Sequence, residues 1–183
     1  MAVLKKDFKF KKISNFLSKE ELELGLHYLL LKHKRNTTEF DFVQNNCGDS
    51  AFYNDPFTQT ILIKKLKKMK EETGLDLIPT YAFSRIYSYD SELTPHKDRP
   101  SCEVSVTTMW GSCGTEWPIY MDGTECHMKP GDAVIYLGCE LEHYRKNFTG
   151  DYHVQTFLHY VDKNGPYTNH AYDNKPYIFN PLI

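Results

Sequence analysis

Thr94-Pro95-His96-Lys97-Asp98 is the stretch from which the organisation of this 183-residue chain can be worked out. On a β-strand, alternate side chains point to the same face, with their Cα atoms about 6.6–7 Å apart. His96 and Asp98 can therefore bind one metal ion together if this stretch is extended. A His-x-Asp pair alone is weak evidence, so a third ligand has to come from another strand.

Glu142-His143-Tyr144-Arg145 supplies that third ligand, directly after the strand-like run from Asp132 to Leu137. Two histidines and one carboxylate, with coordination positions left open, form the ligand set of non-haem Fe(II) oxygenases. A tight zinc site would more often include a thiolate or a third histidine. The spacing therefore predicts that His96, Asp98 and His143 are the metal ligands and the catalytic centre.

Composition and charge restrict the possible classes of protein. A hydrophobic content of 40% with 14% aromatic residues is typical of a folded domain, and 183 residues suffice for one sizeable core. The formal net charge of −2 gives no reason to expect nucleic acid or an anionic membrane as partner. The chain contains no apolar run of the ~20 residues that a membrane span needs, and Met1 to Lys6 lacks a signal-peptide core. We expect a soluble, cytoplasmic protein.

The cysteines are odd in number and include no C-x-x-C pair. This pattern argues against both a disulfide framework and a structural zinc site. We expect reduced, mostly packed thiols at Cys47, Cys102, Cys113, Cys126 and Cys139.

Helix start and stop patterns occur in the first half of the chain. Ser18-Lys19-Glu20-Glu21 has the form of a capping box and predicts a helix over about 18–34. Asp55-Pro56 is a typical N-cap and first-turn pair, and Gly74 is a typical stop, which predicts a helix over about 55–73. The lysine cluster at 64–70 is expected to be the solvated face of that second helix.

Short strands separated by turns predominate after Pro79. Asp122-Gly123 is a hairpin turn, and Tyr152 to Val161 is a strongly apolar strand. This arrangement predicts a mainly β fold, a sandwich or barrel, with the helices at the N-terminal side. We expect one domain over residues 1–183, with a helical flank at about 15–75, a barrel core at about 80–162 and a C-terminal tail at 163–183. Residues 36–54 are expected to form a loop or short irregular strands.

Several motifs in their order resemble the 2-oxoglutarate- and Fe(II)-dependent dioxygenases, specifically the prolyl 4-hydroxylase-like branch. Besides the His-x-Asp pair and His143, they are Asn15-Phe16-Leu17-Ser18, Arg85-Ile86-Tyr87, Pro130-Gly131-Asp132 and the final strand. The resemblance implies a double-stranded β-helix, a jelly-roll or cupin-like barrel with flanking helices. It also implies Fe(II), 2-oxoglutarate and O2, with ascorbate as a supporting reductant, and the hydroxylation of an unactivated C–H with release of succinate and CO2.

The chain departs from this family at the co-substrate anchor. Family members usually place Arg or Lys nine or ten residues after the distal histidine, but the tenth residue after His143 is His153. A histidine could serve if the carboxylate raised its pKa and kept it protonated. Arg145, two residues after His143, has a planar fork that suits bidentate carboxylate binding better. We therefore expect Arg145 as the main charge partner of 2-oxoglutarate, completed by His153 and by a hydrogen bond from Tyr87. Arg85 is the reserve candidate.

The substrate is left open by the sequence. The resemblance is compatible with peptidyl proline, another protein side chain, a free amino acid or other small molecule, or a nucleic-acid base as substrate, since fold does not fix function. Two rival classes also stay open: a non-catalytic jelly-roll module that binds a metal or ligand, and a zinc-dependent hydrolase. Arg99, one residue beyond Asp98, is a candidate substrate contact on the rim. Of the other histidines, His127, His159 and His170 are expected to pack or lie on the surface, and His27 and His33 to lie on the surface of the first helix.

Overall fold

The computed structural model of the protein describes residues 9–35, 39–40 and 49–175. Its two α-helices are α1 (Lys19–Lys34) and α2 (Pro56–Thr73), and short 3₁₀ segments lie at Pro100–Cys102 and Thr168–Asn174. Both predicted α-helices are confirmed, together with their caps. Ser18 and Glu21 form the reciprocal capping box, Asp55 accepts from the amide of Phe57, and Gly74 ends α2 in the left-handed conformation.

Eleven strands are present in the described residues. They are β1 (Phe10–Ile13), β2 (Glu39–Phe40), β3 (Ser50–Tyr53), β4 (Leu77–Ser88), β5 (Leu93–His96), β6 (Val104–Ser112), β7 (Ile119–Met121), β8 (Thr124–Cys126), β9 (Ala133–Tyr136), β10 (His143–Arg145) and β11 (Tyr152–Asp162). The predicted Asp122-Gly123 turn joins β7 to β8, with positive φ angles of 50° and 77° at the two turn residues. Such angles are those of a type I′ hairpin.

The strands form two antiparallel sheets. The large sheet has the order β1-β9-β6-β11-β4-β3-β2, and the small sheet has the order β5-β10-β7-β8. This arrangement is the predicted double-stranded β-helix, and the mainly β class is confirmed. The two sheets face each other as an open sandwich and do not close into a complete barrel.

The helices cover the outer face of the large sheet. α2 packs against β4 and β11, and α1 packs against β6. Leu29 of α1 and Leu62 of α2 are buried in one apolar cluster with Ala82 and Ile86 of β4. Because side chains alternate along a strand, Phe83 and Arg85, which alternate with Ala82 and Ile86, point to the inner face, between the sheets. That inner face carries the candidate site.

Three stretches add to or differ from the sequence-based expectations. Residues 10–13, for which no strand was predicted, form an edge strand on β9. Residues 36–54, expected as a loop or short irregular strands, include the short strands β2 and β3, which extend the large sheet beside β4. Lys65, expected on the solvated face of α2, is buried, with its ammonium 2.6 Å from the Glu21 carboxylate. That contact and the capping amide of Ser18 outweigh burial and lower the pKa of Glu21 to about 2.

Some expectations concern residues outside the described ranges. These are the absence of a signal-peptide core at Met1–Lys6, the thiol of Cys47, the loop residues 36–38 and 41–48, and the end of the tail at 176–183. The cysteines within the described ranges, Cys102, Cys113, Cys126 and Cys139, are all free thiols. Neither α1 nor α2, nor any other helix in the described ranges, combines the length and apolarity of a membrane span.

Gly25 on α1 offers a test of the helix-to-sheet packing. A Cβ at this position would lie 2.0 Å from the Trp110 ring. Trp110 cannot move aside freely, because its indole N–H donates to the Thr156 hydroxyl at 2.7 Å. We expect Gly25→Ala to lower the free energy of unfolding by about 1–3 kcal/mol, although Ala is the better helix former by about 1 kcal/mol.

Urea unfolding of the purified variant measures this change, with Leu24→Ala as the control. Leu24 is the neighbouring helix residue and is 64% exposed, so its truncation should change stability little. A Gly25→Ala protein as stable as the wild type would contradict the close packing of α1 on Trp110.

Candidate metal centre and the adjoining cavity

His96, Asp98 and His143 converge at the inner edge of the small sheet. His96 ends β5 and pairs directly with His143, the first residue of β10. The Nε2 atoms of His96 and His143 lie 3.7 and 3.6 Å from Oδ1 of Asp98. Atoms that bind one ion at about 2.0–2.2 Å lie up to about 4.4 Å apart, so these three donors fit a single metal. The structure thus brings the three predicted ligands together.

The two imidazoles are held in the tautomer that a metal requires. Nδ1 of His96 lies 2.7 Å from the carbonyl of Thr94, and Nδ1 of His143 lies 3.0 Å from the carbonyl of Leu141. A carbonyl only accepts, so each Nδ1 carries a proton, and each Nε2 faces Asp98. Burial outweighs the nearby Asp98 carboxylate and lowers the pKa of His143, which keeps the ring neutral and able to ligate.

Asp98 is positioned differently from the expectation. It was expected on the same strand as His96, but β5 ends at His96 and Asp98 follows in a loop. Its amide donates to the carbonyl of Gly138 at 2.8 Å, and its Oδ2 accepts from the Ser105 hydroxyl at 3.3 Å. A Cβ at Gly138 would lie 2.5 Å from that same Oδ2, so only glycine leaves room for the carboxylate.

His159 was expected to pack or lie on the surface, and the structure places it, buried, beside the centre. Its Nδ1 lies 2.8 Å from the Ser105 hydroxyl, which in turn contacts Asp98. With Asp98 and Cys102 it forms a second group of possible ligands. Burial raises the pKa of the Cys102 thiol well above its usual range, and the sulfur contacts the Tyr81 hydroxyl at 3.1 Å. The thiol therefore stays protonated, and the His96, Asp98 and His143 group is the better metal site.

A cavity of about 370 Å³ opens beside the three ligands. Aromatic side chains and two arginines form most of its wall. The lining residues are Tyr53, Tyr81, Phe83, Arg85, Tyr87, Leu93, His96, Asp98, Arg99, Tyr136, His143, Phe157 and His159. The volume is at the lower end of the range for small-molecule sites.

Arg145 is a buried cation close to this cavity, although its side chain is not part of the wall. It is 1% exposed, and its guanidinium lies 4.7 Å from the centre of the Trp117 ring. Nη1 donates to the carbonyl of Trp117, whereas Nε and Nη2 have no hydrogen-bond partner. Among the residues the structure describes, no carboxylate pairs with it. Burial lowers the pKa of Arg145 to about 10, so it stays charged at neutral pH.

Tyr87 is part of the cavity wall and lies within reach of the Arg145 charge. Its ring is fully buried, and its hydroxyl has no hydrogen-bond partner. Arg85, on the same face of β4, has its Cζ atom 5.2 Å from the centre of the Tyr87 ring and its Nε 4.0 Å from the Asp49 carboxylate. Unpartnered buried groups are costly. Two unpartnered guanidinium nitrogens and one phenol are suited to donate hydrogen bonds to an anionic ligand.

His153 lies behind this group and on a different cavity. Its ring packs edge-on against Trp117 at 5.2 Å between centroids, and its Nε2 lies 2.9 Å from Oε1 of Gln155. Burial, together with the charge of Arg145, lowers the pKa of His153 to about 3. Without a carboxylate beside it the ring is therefore neutral, and the charged candidates for an anchor are Arg145, expected as the main partner, and Arg85, the reserve.

No family model and no curated protein sequence matches the chain. Solved structures share its fold. A prolyl-4-hydroxylase of Pseudomonas putida is 15% identical, with a TM-score of 0.66 and coverage of 85% of this chain and 94% of that chain. The viral collagen prolyl hydroxylase of Paramecium bursaria Chlorella virus-1 is 12% identical, with a TM-score of 0.64 and coverage of 86% and 98%. The non-haem α-ketoglutarate-dependent epimerase SnoN from nogalamycin biosynthesis is 9% identical, with a TM-score of 0.72 and coverage of 88% and 79%.

The geometry predicts that one divalent metal binds at His96, Asp98 and His143. We expect His96→Ala and His143→Ala each to lose this metal, because two remaining ligands do not hold it. Co(II) titration followed by its visible absorption measures binding without turnover. His127→Ala is the control, since His127 is half-exposed and faces Glu116 and Glu125 instead. Metal binding that survives loss of either ligand would place the site elsewhere.

Proposed function

We propose that the chain is a 2-oxoglutarate- and Fe(II)-dependent dioxygenase that hydroxylates an unactivated C–H. The observation that carries the proposal is the convergence of two histidines and one carboxylate at a cavity between the two sheets. This ligand set leaves coordination positions open, as Fe(II) oxygenases require. The shared fold of hydroxylases supports the proposal without deciding it, because one fold hosts several chemistries.

The protein's own residues would hold, orient and shield the reacting groups. His96, Asp98 and His143 would hold Fe(II), and the carbonyls of Thr94 and Leu141 would fix the two rings. Bound Fe(II) would supply the activation of O2, coupled to the decarboxylation of 2-oxoglutarate to succinate and CO2. The aromatic walls of the cavity would exclude water from the substrate C–H.

Arg145 and Tyr87 are proposed to bind the distal carboxylate of 2-oxoglutarate. The carboxylate would supply the partners that Nε and Nη2 of Arg145 and the Tyr87 hydroxyl lack within the protein. Arg85 belongs to the cavity wall but already faces Asp49, so it is proposed as the weaker contact. His153, being neutral, is proposed to complete the pocket by packing on Trp117.

The substrate is proposed to be a protein side chain or a small molecule. A Trichoplax adhaerens prolyl hydroxylase of the same fold was solved with a peptide fragment of hypoxia-inducible factor, and SnoN with nogalamycin RO. A single domain over residues 1–183 and a cytoplasmic location complete the proposal. The free thiols of the described cysteines agree with a reducing compartment.

Succinate release tests the reaction class. Anaerobically purified protein, supplied with Fe(II), 2-oxoglutarate, ascorbate and air, should release succinate, and a library of peptides and metabolites should contain a compound that accelerates it. Asp98→Asn should reduce succinate release to background, because the variant lacks the anionic ligand. The control is Asp151→Asn, a change at an exposed aspartate outside the cavity. Metal binding without succinate release from any compound would favour the non-catalytic module. Hydrolysis of a library compound with Zn(II) in place of Fe(II), without 2-oxoglutarate, would favour the hydrolase.

Loss of Arg145 should weaken 2-oxoglutarate binding. We expect Arg145→Gln to raise the 2-oxoglutarate KM by one to two orders of magnitude, since a charged hydrogen-bond partner contributes roughly 1.5–3 kcal/mol. The same variant should unfold at a higher temperature than the wild type without ligand, because it no longer buries an unpaired charge. It should also lose most of the thermal stabilisation that 2-oxoglutarate gives the wild type.

Lys146→Gln is the matched control, because it removes a fully exposed cation from the adjacent position. Arg85→Gln is measured in parallel. If Arg85→Gln raises the KM more than Arg145→Gln does, the anchor is Arg85. If neither variant changes the KM, the co-substrate is not held as proposed.

A further inference from the structure

Residues 168–175, here called the C-terminal strap, lie along the rim of the cavity. The strap packs against β4, β11 and the 3₁₀ segment Pro100–Cys102. One of its residues, Asp173, directs its carboxylate at two residues of the cavity wall, Arg99 and Tyr53. Nothing in the proposed reaction uses this contact.

The Asp173 carboxylate accepts hydrogen bonds at both of its oxygens. Nη1 of Arg99 donates to Oδ1 at 2.9 Å, and Nη2 donates to Oδ2 at 3.2 Å. The Tyr53 hydroxyl also donates to Oδ2. A two-point fork of this kind gives directional recognition of a planar carboxylate. Although Asp173 belongs to the tail, its side chain is only 8% exposed.

Arg99 lines the cavity and also forms an ion pair with the strap. It follows the metal ligand Asp98 directly, and its side chain is 51% exposed at the rim. Its guanidinium lies 4.5 Å from the centre of the Tyr81 ring, and Tyr81 lies 5.3 Å from Tyr53. All of these residues line the cavity. The cation is therefore positioned for a ligand that enters beside the metal.

The strap holds Asp173 in place at a conformational cost. Tyr172, Asp173 and Asn174 have φ angles of 54°, 50° and 58°, three consecutive non-glycine residues in the left-handed region. L-residues visit this region singly and rarely in succession. The contacts of the Asp173 carboxylate compensate for this strain, so a competing acid at Arg99 would allow the strap to relax.

We propose that Asp173 occupies the position of a substrate carboxylate, and that the enzyme acts on substrates that carry a carboxylate, which displaces Asp173 from Arg99 and Tyr53. This inference rests on the proposed function and narrows its substrate class. A neutral substrate could not replace Asp173 as the ion-pair partner of Arg99. It would have to leave this pair intact or break it without forming a new one. The carboxylate belongs either to an acidic side chain of a peptide or to a free small acid.

Binding of model acids to Asp173→Asn tests the inference without turnover. Zn(II) and 2-oxoglutarate are present, so that the proposed metal and co-substrate positions are filled. The probes are N-acetyl-aspartate N-methylamide for a peptide side chain, propanoate for a free acid, and N-acetyl-asparagine N-methylamide as the neutral match. NMR titration measures their affinities, and amide hydrogen exchange reports release of the strap.

We expect the acidic peptide probe, the free acid or both to bind Asp173→Asn about tenfold more tightly than the wild type, as follows if the strap closes the site about nine-tenths of the time. The neutral probe should bind both proteins equally weakly. Adding Arg99→Gln to Asp173→Asn should abolish the gain. Asp76→Asn, which removes an exposed carboxylate outside the cavity wall, should behave as the wild type.

Two results would overturn the inference. One is faster exchange in the strap of Asp173→Asn with no gain in acid binding, which would make Asp173 a structural latch. The other is equal binding of the acidic and neutral probes. Succinate release is measured separately. Acid binding at Arg99 without succinate release would contradict the proposed oxygenase function but support the carboxylate site. Succinate release with no preference for acids would keep the oxygenase and retract the substrate class.

Discussion

The double pairing of β11 is the constraint on which the rest of the structure depends. This strand of eleven residues pairs with β4 along most of its length on one side and with β6 from His153 to Tyr160 on the other, and this ladder fixes which side chains face the small sheet. Tyr87 is opposite His153 and Arg85 is opposite Gln155, so all four point inward. A shift of the register by one residue would turn this polar set toward the helices and the apolar set toward the cavity. The site therefore exists only in the register that also buries the core.

The small sheet positions the two histidine ligands. Its strands are short, and the pairing of His96 with His143 brings two imidazoles onto one point from positions 47 residues apart in the chain. The backbone carbonyls that accept from each Nδ1 lie two residues before each histidine. The same local geometry thus recurs on both ligands. It removes rotational freedom from the rings before a metal arrives, which is the preorganisation that a metal site needs.

Two of the arginines at the inner face are in opposite situations. Arg145 is fully buried with two nitrogens unsatisfied, whereas Arg99 is at the rim and satisfied by the chain's own Asp173. A buried, unpaired charge destabilises the fold, and such groups are usually kept for a function. The two arginines thus offer two places for a carboxylate, one deep and one at the rim. Solved structures of the same fold include hydroxylases and an epimerase, so the identity of the reaction depends on residues such as these.

The sequence alone determined those features that depend on neighbours in the chain. Both helices and their caps could be predicted because Ser18, Glu21, Asp55 and Gly74 act within one or two turns. The metal group was predictable because a His-x-Asp pair and a distal histidine leave few other arrangements. The edge strand at 10–13, in contrast, exists only because β9 offers it hydrogen bonds from more than a hundred residues away.

Tertiary structure alone decided the electrostatics of the site. The sequence could not show that His153 is neutral, because its pKa depends on burial and on the charge of Arg145. It could not show the place of His159 beside Asp98, since the link passes through Ser105 and across two strands. Nor could it show that Asp173, 74 residues beyond Arg99, returns to the rim. Burial and long-range contacts set these properties, and neither can be read from the order of the residues.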